Sequence, residues 1–79
     1  MLEPELRQAM ADVLGLDPED IGPETGRDTV SDWDSVGHLR LILEVERTFG
    51  VRFPAAEIPE LTSAARIHQA IQEARTASS

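Results

Sequence analysis

The chain has no cysteine, no lysine and no tyrosine among its 79 residues, and its only aromatic residues are Trp33, Phe49 and Phe53. Without cysteine it has no disulfide framework, no thiolate metal site and no catalytic thiol, so its fold must rest on an apolar core. A hydrophobic fraction of 41% with few aromatics suits a small helical bundle better than a β-sandwich. So short a chain predicts a single domain over 1–79.

Positive charge is also scarce, because seven arginines face 15 acidic residues and the formal charge is −8. Negative charge repels phosphate, so binding to nucleic acid or to an anionic membrane is not expected, and a basic partner is favoured. The first residues lack the basic start and the apolar run of a signal peptide, and no apolar stretch reaches membrane-spanning length. We therefore expect a discrete, monomeric cytoplasmic protein.

Hydrophobic periodicity and the positions of proline and glycine predict an all-α fold of three main helices and one short helix. The expected elements are a helix over about 2–14, a long loop over 16–34, a helix over about 35–49, a short helix over 54–58 and a helix over about 63–75. Gly15 and Gly50 are placed to end the first two helices, and Thr62 and Ser63 to cap the last.

The second helix is expected to be buried on most sides, because its polar residues share an arc only about 100° wide. Arg40, Glu44 and Arg47 lie in that arc, and an Arg40–Glu44 ion pair is the expected surface contact. The predicted core comprises Leu6, Val13, Ile21, Leu39, Ile42, Leu43, Phe49, Ile67 and Ile71.

The junction of the long loop with the second helix is the most informative stretch. Residues 17–34 contain seven acidic residues and one arginine, so they hold −6 of the net charge. Asp34 or Ser35 is a suitable N-cap, and capping alone explains their presence. A serine at this point is also exposed, and a phosphate ester on its oxygen would face free backbone N–H groups and the positive end of the helix dipole.

Asp34-Ser35-Val36, followed by Leu39, Ile42, Glu46 and Phe49-Gly50-Val51, resembles the signature of acyl carrier proteins. The resemblance extends over nearly the whole chain, through Ile21-Gly22-Pro23-Glu24-Thr25 in the loop and Leu61-Thr62-Ser63 before the last helix. It implies the acyl-carrier fold and a carrier protein that is not itself an enzyme.

The resemblance implies that Ser35 bears 4′-phosphopantetheine, added from coenzyme A by a separate phosphopantetheinyl transferase. The thiol of this arm would carry an acyl group as a thioester. Asp34 would be the acid of the motif, and Val36 and Leu39 would form part of a docking surface. The implied partners are the transferase and acyl-loading or acyl-processing enzymes such as ligases, acyltransferases and ketosynthases.

Two features differ from carriers of dissociated fatty-acid synthesis, whose second helix is strongly acidic. Arg40 and Arg47 stand on the polar face here, and we hypothesise that they select an acidic patch on a partner. Trp33 before Asp34 resembles carriers of polyketide, nonribosomal-peptide or related pathways. The sequence therefore favours a polyketide-type acyl carrier, with an aminoacyl or peptidyl carrier and a fatty-acid carrier as alternatives.

Other interpretations of the same residues are weaker. A serine hydrolase would need a glycine where Trp33 stands, a sheet to hold the nucleophile, and an acid to orient His38 or His68. A calcium loop starting at Asp28 or Asp32 would end on leucine instead of glutamate. We expect no metal site, and we expect both histidines to pack at the surface or at the edge of the core. The rival hypothesis from another functional class is a helical adaptor without a cofactor.

Overall fold

The computed structural model describes the backbone of residues 2–78 and the side chains of residues 2–76. The described chain forms three α-helices, which are α1 (Pro4–Leu14), α2 (Ser35–Phe49) and α3 (Ala64–Ser78). Two short 3₁₀ turns, Pro18–Asp20 and Ile58–Glu60, lie in the connections. The only extended pairing among the described residues is one isolated bridge between Gly26 and Ser63. The all-α fold is confirmed, and no helix within residues 2–78 is long and apolar enough to cross a membrane.

α1 and α2 begin and end on local signals that the sequence carries. Pro4 occupies the first turn of α1, where its missing N–H costs nothing. Asp34 is the N-cap of α2. Both helices end at glycines, Gly15 with φ 69° and Gly50 with φ 65°, a left-handed conformation that glycine adopts without steric cost.

The core is one cluster to which all three helices and the long loop contribute. Its largest fully buried side chains are Trp33, Leu6, Met10, Leu14, Leu41, Ile42, Ile67, Ile71 and Val45. The predicted core positions Leu6, Ile21, Ile42, Ile67 and Ile71 are buried, and Val13 and Phe49 pack half-buried against the cluster. The Arg75 guanidinium lies 5.2 Å from the centroid of the Phe49 ring, so it covers part of this edge.

The prediction that Leu39 and Leu43 lie in the core is wrong, because their exposed fractions are 58% and 65%. α2 is buried through Leu41, Ile42 and Val45, which lie on a different side of the helix. At about 100° per residue, the two apolar sets are centred roughly 130° apart. The rest of the fold covers only the side of α2 that carries Leu41, Ile42 and Val45, so the side with Leu39 and Leu43 faces solvent.

The short helix predicted over 54–58 is also misplaced. Residues 55–57 form a turn, and the 3₁₀ turn follows at Ile58–Glu60 with Pro59 inside it, although a proline directly after residue 58 was expected to end the short helix there. The first turn of a helix needs no N–H from its own residues, which is why proline is accepted there. α3 runs to Ser78, beyond the predicted end at about residue 75.

The loop 16–34 is held against the start of α3 by backbone hydrogen bonds. The Ala64 N–H donates to the Thr25 carbonyl at 2.8 Å, and the Arg27 N–H donates to the Thr62 carbonyl at 3.1 Å. The first N–H groups of a helix have no partner within the helix, so the loop satisfies donors that would otherwise be unpaired. This contact gives the long loop a defined path into α2.

Gly26 is the residue at which the loop comes closest to α3. A Cβ atom at this position would lie 2.8 Å from the Thr62 carbonyl oxygen, a backbone atom that the bridge holds in place. A Cβ atom at Gly22 would also meet oxygens at 2.8 Å, but these belong to the side chain of Glu24, which is exposed and able to move.

We expect Gly26→Ala to lower the free energy of unfolding by about 1–3 kcal/mol, because the methyl group must push the loop from α3. Gly22→Ala is the matched control and should change it by less than about 0.5 kcal/mol. Urea denaturation followed by circular dichroism measures both. Equal stabilities of the two variants would show that the contact between the loop and α3 is not tight.

Candidate functional site

The loop enters α2 through Asp34, which is the N-cap of the helix. Its Oδ1 accepts a hydrogen bond from the Gly37 N–H at 2.8 Å, and its carbonyl accepts from the His38 N–H at 2.7 Å. The backbone of Asp34 is extended, with φ −92° and ψ −168°, as N-cap residues require. Ser35 is therefore the first residue of the helix.

Ser35 is exposed, and its Oγ has no hydrogen-bond partner among the side chains and backbone groups that the structure describes. The N–H groups of Ser35 and Val36 belong to the first turn, where no helical carbonyl can accept from them. The positive end of the helix dipole lies at the same place. A free hydroxyl beside unpaired donors suits a phosphate ester, so the residues present fit a phosphate-linked group.

Gly37 allows the loop backbone to lie directly over the first turn of α2. A Cβ atom on Gly37 would stand 2.5 Å from the Asp32 carbonyl oxygen and 3.3 Å from Asp34 Oδ1. Any side chain would therefore displace either the loop or the cap. The glycine at this position therefore has a steric cause.

A buried pair of rings fixes the same junction from the inside. The indole Nε1–H of Trp33 donates to Nδ1 of His38 at 2.9 Å, and Nε2 of His38 lies 2.7 Å from the Ile58 carbonyl oxygen. The two rings meet edge to edge through this bond, with centroids 6.2 Å apart and an angle of 20° between their planes. Because Nδ1 accepts and the carbonyl can only accept, this network assigns the proton of the neutral imidazole to Nε2.

Trp33 and His38 lie on either side of Ser35 in the sequence, so their contact holds both the end of the loop and the first turn of α2. They are 2% and 5% exposed. The expectation that His38 packs at the surface or core edge is wrong, since it is buried with both ring nitrogens engaged. One signal was present in the sequence: a buried tryptophan N–H needs an acceptor, and His38 is a nearby one.

This arrangement also removes the basis for a hydrolase. Both nitrogens of His38 are used by Trp33 and Ile58, so neither can accept the proton of Ser35. His68 belongs to α3 and pairs with Gln72 at 3.3 Å on the exposed side of that helix. Among the described residues, no group of three or more acidic, histidine or cysteine side chains is placed to hold a metal ion.

The outer face of α2 carries the other residues singled out from the sequence. Val36 is 61% exposed and Leu39 is 58% exposed, and Arg40 and Arg47 are exposed beside them. The expected Arg40–Glu44 pair is absent from the described side chains. Glu44 binds Arg47 instead, with Oε2 3.2 Å from Nη2 at a spacing of three residues.

Comparisons with known proteins agree with this geometry. The family model described as "Phosphopantetheine attachment site" matches residues 4–71. The acyl carrier protein of Rubrobacter xylanophilus is 29% identical over 72 residues, which cover 91% of this chain and 89% of that protein. The solution structure of holo acyl carrier protein from Geobacter metallireducens superposes with a TM-score of 0.81 at 20% identity, over 96% of this chain and 91% of that one. The last comparison shows that the fold is shared.

We expect His38→Phe to destabilise the protein, because it leaves the Trp33 N–H unpaired in the interior and removes one of the two hydrogen bonds that the Ile58 carbonyl accepts, the other coming from the Leu61 N–H. Each unpaired buried group costs about 1–3 kcal/mol. His68→Phe is the matched control and should change the free energy of unfolding by less than about 0.5 kcal/mol, since only an exposed contact is lost. Thermal denaturation measures both variants, and nitrogen NMR of the wild type should show His38 protonated at Nε2 alone. A proton on Nδ1 would contradict the assigned network.

Proposed function

Because the chain belongs to the phosphopantetheine attachment-site family of acyl carrier proteins, which are carriers and not enzymes, we propose that Ser35 is the residue that carries its 4′-phosphopantetheine. The observation that supports this most directly is the exposed hydroxyl of Ser35 at the start of α2, within the matched residues. When attached, the arm supplies a thiol that holds an acyl group as a thioester. The chain has no cysteine of its own to do so.

The residues around Ser35 are suited to receive a charged phosphodiester and present it to solvent. The first-turn N–H groups and the helix dipole favour the negative charge. The Trp33–His38 contact fixes the turn from beneath, so the serine is presented at one position by both the loop and the helix. The exposure of Ser35 suits a group that other proteins must reach.

Asp34 has two separable parts in this proposal. Oδ1 caps α2 through the Gly37 N–H, while Oδ2 has no partner among the described residues. We assign Oδ1 to holding the turn and the free, exposed side of the carboxylate to recognition by the phosphopantetheinyl transferase. Magnesium and coenzyme A belong to that enzyme and not to this chain.

The pathway of this carrier is proposed to be polyketide or related specialised biosynthesis. The arginines on the outer face of α2 support this, because they depart from the strongly acidic helix of fatty-acid carriers. Trp33 adds nothing to the argument, since its contact with His38 already accounts for it. An aminoacyl or peptidyl carrier fits the same site, and a fatty-acid carrier fits it less well.

Partners under this proposal are the transferase and a series of acyl-loading and acyl-processing enzymes, met by a monomeric carrier in the cytoplasm. Val36 and Leu39 on α2 are proposed to contact them. A cofactor-free adaptor would use the same face but would leave Ser35 unmodified, and the mass of the protein separates the two.

Incubation with a phosphopantetheinyl transferase and coenzyme A should raise the intact mass by one phosphopantetheine. Ser35→Ala should abolish the gain, because the attacking hydroxyl is lost. Ser31→Ala is the matched control, since Ser31 is an exposed serine of the loop that leads into α2. This variant should keep the full mass gain. A mass gain in Ser35→Ala would place the attachment elsewhere, and no gain in the wild type with several transferases would favour the adaptor.

Asp34 variants should separate the cap from the carboxylate. We expect Asp34→Asn to keep the free energy of unfolding within about 0.5 kcal/mol, because the amide oxygen still caps, while Asp34→Ala loses about 1 kcal/mol. Both should slow modification of Ser35, as measured by kcat/KM with one transferase. Wild-type kinetics of the Asn variant would reduce the role of Asp34 to capping.

A further inference from the structure

α2 presents an apolar ridge to solvent that the fold itself does not use. Val36, Leu39 and Leu43 are the only exposed large hydrophobic side chains among the described residues, and all three lie on this helix. Their spacing of three and four residues places them in one arc about 60° wide. Contiguous exposed apolar surface on an otherwise well-packed protein indicates a contact site.

The two arginines of α2 lie on the same side as this ridge. At about 100° per residue, Arg40 and Arg47 fall next to Val36 and Leu43, so the ridge and both arginines share an arc about 100° wide. A groove beside them, lined in part by Val13 and Leu43, continues the apolar surface onto α1. A partner that covers the ridge must therefore also contact the guanidinium groups.

The charges that point outward on this face are positive, although the chain as a whole is strongly negative. Arg40 has no hydrogen bond or ion pair among the described residues. Arg47 is 80% exposed, while its partner Glu44 is 28% exposed and also accepts from the Thr48 hydroxyl at 3.4 Å.

Two carboxylates near the ridge accept hydrogen bonds from within the chain. Asp12 accepts from the Gln8 amide at 2.9 Å, and Glu46 accepts from the Phe53 N–H at 2.8 Å. On the ridge side of α2 the exposed charged side chains are Arg40 and Arg47, while the carboxylates of Asp12, Asp32 and Asp34 lie at its edge beside Arg40.

We propose that the ridge Val36–Leu39–Leu43, with Arg40 and Arg47, docks a partner enzyme whose surface has an apolar groove flanked by carboxylates. The proposal rests on the carrier function above and names the chemistry of the enzymes that the carrier meets. An apolar ridge supplies contact area, and complementary charge selects which groove is covered. A groove flanked by lysine or arginine would place like charges together and desolvate them.

The test uses two versions of one ketosynthase that differ only in the charges around the entrance to the active site, which are either carboxylates or basic groups. The carrier is first loaded with an acetylated arm from acetyl-coenzyme A, and intact mass confirms loading. If the chain cannot be loaded, the carrier function is contradicted. If it is loaded but its kcat/KM is the same with both entrances, only the docking proposal is contradicted. The measured quantity is kcat/KM for acetyl transfer.

We expect the wild type to react faster with the acidic entrance than with the basic one. Reversal of both charges, Arg40→Glu with Arg47→Glu, should lower kcat/KM with the acidic entrance about tenfold and raise it with the basic entrance. The matched control is Arg52→Glu with Arg66→Glu, which changes the net charge equally at exposed positions off this face. It should change both values less than about twofold.

Three results would overturn the proposal: faster transfer from the wild type with the basic entrance, no effect of the reversal, or an equal effect of the control. An equal effect of the control would mean that kcat/KM depends on the net charge of the carrier and not on the positions of Arg40 and Arg47. If the reversed variant does not fold, Arg40→Gln with Arg47→Gln removes the charges without adding repulsion and should lower kcat/KM with the acidic entrance. Leu43→Ser should lower it with both entrances, because the ridge is common to them.

Discussion

The imidazole of His38 is the contact on which the arrangement around Ser35 depends. It accepts from Trp33 at the end of the loop and donates to Ile58 in the connection before α3, so it ties the loop and the first turn of α2 to a residue 20 positions further along the chain. A side chain with both an acceptor and a donor at fixed positions is needed here, and neutral histidine has this pattern. The attachment turn is thereby held from the interior while its outer side stays free.

The composition of the loop accounts both for its irregular backbone and for its negative charge. Its small and polar residues allow the irregular backbone that approaches α3 at Gly26 and α2 at Gly37. Its carboxylates stay in water and give most of the net charge to the region around Ser35. The carrier thus has a negative approach to the attachment site and a positive, partly apolar face on the helix that follows.

Much of this could be predicted from the sequence, because the signals were local. A cap at Asp34 or Ser35, the extent of α2 and the ends of the first two helices follow from residue preferences at helix termini, and the structure selects Asp34. Hydrophobic periodicity could not predict the exposure of Leu39 and Leu43, since apolar residues on two sides of a helix do not say which side has a neighbour; for Leu39 only the family resemblance implied it. The ring pair was missed for a related reason, because a contact between residues 33 and 38 depends on how the loop turns into the helix.

The exposed ridge of α2 also bears on how copies of this protein behave toward one another. Three large apolar side chains in water favour self-association, which would remove them from solvent. Two copies meeting ridge to ridge would bring together their acidic loops, each with a charge of −6, because the ridge begins where the loop ends. At low ionic strength this repulsion opposes the association of two copies, and added salt weakens it by screening.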